Sequence, residues 1–152
     1  MPITRYDFGG LVFTVTRDFA RMERNFCKVA GLYQGQPRIL TILKSNEGVT
    51  LSELSPLCGI GLPSLSVSLR NLQKSGLIRK EGTGKNQKLY LTEQGHQCAL
   101  TFHQEIDSFF TQYFSTLGPQ GAEAFGSALN SFDEFIADFN DQYELHHGWK
   151  KD

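Results

Sequence analysis

Residues 62–91 leave this chain few folds to choose from: a leucine-spaced segment without a single acid stops at a glycine and gives way to two short strand-like runs. Leu65, Leu69 and Leu72 recur at spacings of four and three, which places them on one face of a helix spanning 62–75. Gly76 is its natural C-terminal residue. Residues 77–81 and 87–91 then read as strands, joined by Gly82, Thr83, Gly84, Lys85 and Asn86, the composition of a hairpin tip.

Two shorter helices precede this block. Pro37 belongs to the first turn of one, whose apolar residues are Ile39, Leu40, Ile42 and Leu43, and Asn46, Glu47 and Gly48 end it. Thr50 with Glu53 three residues on forms a capping box, each side chain serving a free backbone N–H at the start of the next helix. Leu51, Leu54 and Leu57 give that helix its expected buried side, Gly59 stops it, and Pro56 inside it should kink or shorten it. Gly61 serves as a bare cap for the leucine helix. The order helix, helix, helix, β-hairpin is that of a winged helix-turn-helix.

Longer helices flank the middle. Phe8, Val12, Val15, Phe19, Met22, Phe26 and Val29 alternate spacings of four and three, and Leu11 widens the stripe. Ala99, His103, Ile106, Phe110, Tyr113 and Leu117 mark a second long helix, ended by Gly118 and Pro119, and Phe125, Leu129, Phe132, Ile136, Phe139 and Tyr143 mark a third. Such stripes suit helix-on-helix packing, within one chain or between two. The expected fold is mainly α with a small β-hairpin wing: an N-terminal dimerisation helix at 1–32, a winged helix-turn-helix DNA-binding domain at 33–93, and C-terminal dimerisation helices at 94–152.

Net charge decides little until it is divided along the chain. The total is −1 and the pI about 6.4, a poor match to a phosphate-binding protein. Yet residues 60–92 hold six Lys/Arg against one acid, residues 1–59 seven against five, and residues 93–152 two against ten. Positive charge is therefore concentrated in the leucine helix and the hairpin after it, unless that run is only a solvated face. Cys27, Cys58 and Cys98 form no disulfide framework or paired metal spacing, and a reducing compartment fits them. With no signal-peptide pattern and no apolar run near the roughly 20 residues a spanning helix needs, a cytoplasmic protein without membrane association is expected.

With Leu65, Leu69 and Leu72 inward, a step of 100° per residue puts Pro63, Val67, Arg70, Asn71 and Lys74 outward, flanked by Ser64 and Ser66. Arg70 suits a guanine edge or a phosphate, the serines suit either, and Val67 suits a thymine methyl. Lys80, Lys85, Asn86 and Lys88 lie on the hairpin, where they can reach the DNA backbone or minor groove, or else protect an exposed edge. The expected partner is double-stranded DNA. No nucleophile-base pair, phosphate-cradling glycine loop or metal motif points to an enzyme or a cofactor. A winged-helix module for protein contacts is the alternative class.

The runs "PRILTIL", "VTLSELSPLCGI", "LPSLSVSLRNLQKSGLIRK" and "LYLTEQG" resemble the MarR family of bacterial transcriptional regulators, with "LTEQG" after "GLI" the most diagnostic part. The flanking helices fit too. The resemblance implies a homodimeric repressor with intertwined terminal helices on a pseudo-palindromic operator, often released by a small aromatic acid or by cysteine oxidation. It departs at the wing, where Thr83 and Lys85 stand in place of the family's Asp-x-Arg. Arginine fits a narrow minor groove better than lysine, so wing readout should differ.

For signal sensing, the resemblance implies an aromatic-acid pocket where the long helices meet the winged helix. Arg17, Arg21 and Tyr33 are the candidate polar lining, or else solvated side chains beside the first stripe. Cys27, near Arg24 and Lys28, is the redox candidate, with helix packing as its other reading. Cys58 is expected to be buried and inert, and Cys98 lacks a cationic neighbour. His96 and His103 lie about 10 Å apart along a helix axis, too far to share an ion by themselves.

Overall fold

The structure, a computed structural model, describes residues 5–147. Its helices are α1 (Arg5–Ala30), α2 (Gln36–Lys44), α3 (Leu51–Cys58), α4 (Leu62–Lys74) and α5 (Glu93–His147), with a hairpin of β1 (Ile78–Glu81) and β2 (Lys88–Leu91) between the last two. The chain forms two compact units, Met1–His103 and Gln104–Asp152.

In the first unit the short helices close because each leucine row finds the same interior. Ile39, Leu40 and Leu43 of α2, Leu54 of α3, and Leu65, Leu69 and Leu72 of α4 are sealed from water together with Ile78, Leu89 and Leu91 of the hairpin. Each such side chain contributes about 1.5–3 kcal/mol by leaving water. The hairpin is antiparallel, pairing Ile78 with Leu91 and Lys80 with Leu89. Alternation along the strands then turns Ile78, Leu89 and Leu91 inward. One backbone contact has no sequence signal: Val49 bridges to Leu89, with Gly48 N–H donating to the Leu89 carbonyl (2.8 Å) and Leu89 N–H to the Val49 carbonyl (2.9 Å). The loop before α3 thus adds a short third rung to the wing.

The local signals act where their residues stand. The Thr50–Glu53 capping box is present, and α3 gives way at Gly59, two residues after Leu57. Pro56 is accommodated because the helix stops within a turn of it, where its carbonyl accepts Gly59 N–H. Leu57, expected on the buried side, is 48% exposed; Cys58, one full turn beyond Leu54, takes the inner position instead. Val29 is likewise 91% exposed, at the last turn of α1 before the chain reverses.

α1 is held to the rest of this unit by Phe26 against Phe102 (ring centroids 4.9 Å) and by Glu23, whose carboxylate accepts Gly35 N–H (3.2 Å) at the start of α2. In the second unit α5 is broken at Gly118 (φ 71, ψ 172), immediately before Pro119, as the sequence indicates. Across that break Tyr113 and Phe114 meet Phe125, with centroids at 5.4 and 6.2 Å. Among the described residues no helix is long and apolar enough to cross a membrane.

Candidate nucleic-acid interface

α4 presents the face the sequence assigns to DNA. Its interior side is Leu65, Leu69 and Leu72, and on the other side Pro63, Ser64, Val67, Arg70 and Lys74 are exposed, while Ser66 and Asn71 are half-buried. No acid occurs in the helix, and Lys74 in its last turn complements the negative end of the helix dipole. Gly76 (φ +71) ends it in the left-handed conformation. The turn is closed by Gly76 N–H to the Gln73 carbonyl and Leu77 N–H to the Leu72 carbonyl.

A buried amide holds α4 from behind. Gln36 is 3% exposed; its Oε1 accepts Tyr33 N–H (3.0 Å) and its Nε2 donates to the Ser68 carbonyl (3.4 Å). Sequence periodicity gives no reason to single out Gln36, because its partners lie in a loop and in a distant helix. Its one sequence signal is a polar side chain placed just before Pro37 at the start of an apolar helix.

On the wing, Lys85, Asn86 and Lys88 are exposed and Lys80 is half-buried. Lys85 and Asn86 belong to a single 3-10 turn at the tip, Gly84–Asn86. Lys88 Nζ lies 3.9 Å from Glu53 Oε2, so part of its charge is directed at α3. Hydrogen bonds from Thr50 N–H and the Thr50 hydroxyl, and then the Lys88 charge, hold the Glu53 carboxyl below its usual range. Arg79, a cation that no sequence pattern singles out, pairs with Glu81 and stacks over its cross-strand neighbour Tyr90, 4.6 Å from the ring centre.

The wing base is tied to α5 by groups in and around "LTEQG". Thr92 N–H donates to the Leu77 carbonyl (3.0 Å), while the Thr92 hydroxyl donates to the Gly76 carbonyl (2.6 Å) and accepts Gly95 N–H (3.1 Å). Glu47 grips the same junction. One carboxylate oxygen accepts Leu91 N–H at 2.6 Å and the other lies 3.4 Å from His96 Nε2. These bonds join the turn after α4, the end of β2 and the first turn of α5 into one junction.

The sensing candidates fare differently. Cys27 is buried and its thiol donates to the Tyr33 carbonyl (3.4 Å). Burial, then the Glu23 charge and Cys98, push its pKa up, which is opposite to the activation expected from Arg24 and Lys28. Both features favour the packing reading of Cys27 over the redox one. Burial also pushes the Cys58 and Cys98 thiols up. Arg17 makes a two-point contact with Asp18, its Nε at 3.1 Å and its Nη2 at 3.2 Å from the two carboxylate oxygens. Arg17, Arg21 and Tyr33 are all exposed in the single chain.

Comparison with known proteins gives the same outline. Residues 36–79 match the family described as winged helix-turn-helix DNA-binding. No curated protein matches the sequence closely. Among solved structures, a MarR family transcription regulator superposes with a TM-score of 0.81 at 17% identity, over 90% of this chain and 92% of its own. FabT of Streptococcus pneumoniae in complex with DNA gives 0.79 at 15%, over 90% and 99%. Staphylococcus aureus MarR in complex with salicylate and kanamycin gives 0.78 at 20%, over 88% and 92%. Residues 36–79 are therefore similar to the winged helix-turn-helix DNA-binding family, and the chain has the fold seen in the solved MarR family structures.

Proposed function

We propose that the protein is a transcriptional regulator that binds a pseudo-palindromic operator as a homodimer and represses from it. The observation that carries this reading is the outward face of α4, which is exposed, free of acids and lined by Arg70 and Lys74, with the lysines of the wing next in the chain. In a helix-turn-helix this is the element that enters the major groove. The DNA-bound structure of the similar Streptococcus pneumoniae protein supports the assignment.

Dimerisation is argued from apolar surface left in water. Leu11 and Val15 of α1 are exposed on one face, as are Leu129, Ile136 and Phe139 of α5. Two stripes of this kind exceed what a soluble monomer ordinarily exposes, and a second copy would cover them. Release by a small aromatic acid is the accompanying proposal, supported by the salicylate-bound Staphylococcus aureus structure, with Arg17, Arg21 and Tyr33 as this chain's candidate contacts. Selection of bound sequences from random duplexes, followed by gel-shift assays with excess nonspecific DNA, tests the reading. A selected inverted repeat that survives competition supports it. Failure to select any sequence would favour a protein-interaction module.

A further inference from the structure

The outward stripe of α4 changes character halfway along. Pro63, Val67, Arg70 and Lys74 follow spacings of four, three and four, so they form one continuous row: apolar in its N-terminal half and cationic in its C-terminal half. Val67 is 53% exposed and Leu62, at the rim of the same end, 43%, while Leu65, Leu69 and Leu72 of the same helix are sealed. Leu65, Leu69 and Leu72 fill the interior, and Leu62, Pro63 and Val67 lie outside the core cluster.

We propose that this protein identifies its half-site mainly through thymine 5-methyl groups, contacted by Pro63 and Val67. The inference rests on the DNA-binding reading of α4 and adds the chemistry of what is read. In a docked recognition helix the N-terminal residues are those that reach base edges. Here they offer apolar surface and the hydroxyl of Ser64, which does not discriminate strongly between bases. The major groove presents one apolar group for such a surface, the methyl of thymine. Charge on the row identifies the polymer: Arg70 and Lys74 lie on the same face, and no acid opposes a phosphate backbone. The bidentate readers of guanine and adenine are restricted to Arg70 and the half-buried Asn71, both in the C-terminal half.

The test uses the full-length protein and the operator it selects from random duplexes. Each thymine is replaced in turn by deoxyuridine, which removes the methyl and keeps the pairing. At the positions under α4 each replacement should weaken binding about fourfold, the worth of one buried methyl-sized group. Val67→Ala, a substitution on the exposed face, should weaken the thymine operator and abolish the deoxyuridine effect at one position per half-site; Pro63→Ala should do so at another. An operator bound tightly but indifferent to deoxyuridine at every position overturns the methyl readout and leaves the DNA-binding reading standing. Deoxyuridine effects that persist undiminished in both variants overturn the assignment to Pro63 and Val67. If no sequence is selected at all, the DNA-binding reading itself fails, and the methyl readout with it.

Discussion

Gly95 lies so close to the Leu77 carbonyl oxygen that a side chain at this position would collide with it, and that same oxygen accepts Thr92 N–H. The glycine of "LTEQG" is thereby explained: the first turn of α5 can pack onto the α4–β1 turn only without a Cβ. Gly95→Ala sets two effects against each other. Alanine in a helix is favoured over glycine by about 1 kcal/mol, whereas forcing an extra carbon against backbone costs about 1–3 kcal/mol. The clash is with main chain, which cannot swing aside, so urea titration should show a net loss of stability. A gain would mean that the two segments separate readily.

Gln36 joins the loop before α2 to the back of α4. Gln36→Leu keeps the volume roughly and removes both bonds, leaving Tyr33 N–H without its acceptor and the Ser68 carbonyl with its helical bond alone. A loss of about 1–3 kcal/mol is expected for such buried groups. Because Ser68 lies on α4, operator affinity should fall as well as the unfolding midpoint. Unchanged stability would mean that water replaces the amide without cost.

Glu53 supplies a pH signature. Its carboxyl is held below the usual range, first by Thr50 N–H, then by the Thr50 hydroxyl, then by Lys88. A carboxylate with a depressed folded-state pKa adds stability above its unfolded pKa, and that contribution disappears as pH falls through the folded value. Glu53→Gln preserves the capping geometry but not the charge. The variant should be less stable than the parent at neutral pH, with the difference closing in the acid range below about pH 4. A difference independent of pH would assign the effect to packing.

Lys85 stands exposed in the tip of the wing, whereas Lys88 is drawn toward Glu53. Lys85→Ala should weaken operator and random DNA by similar factors, with base preference retained, and should lower the salt dependence by about one ion for each phosphate no longer neutralised. Lys85→Arg should favour operators with A·T-rich flanks, whose narrow minor grooves attract arginine. Affinities at several salt concentrations check both. No change in either variant would remove the tip from the interface.

Much of this architecture is legible in the sequence because its signals are local in origin. The capping box at Thr50, the leucine row of α4, the glycine after it and the break at Gly118 each depend on neighbours a few residues away. The exposed row of Pro63, Val67, Arg70 and Lys74 follows from the same period. The rest depends on contacts across the fold. Glu47 reaches Leu91 and His96, Gln36 reaches Ser68, and Val49 pairs with Leu89, and none of these leaves a periodic trace. Cys27 shows the same limit: burial and then Glu23, a residue one turn back on α1, push its thiol up.

Whether Arg70 reads a base as well as bringing charge to the face of α4 is decided by comparing Arg70→Ala with the parent on the selected operator and on random duplex under identical salt. Arg70 is exposed on the row that faces away from the core, so its loss should leave folding intact. Base reading by Arg70 predicts a loss of about 1–3 kcal/mol on the operator and a markedly smaller one on random DNA. Equal losses on operator and random duplex would contradict it and make Arg70 a phosphate contact.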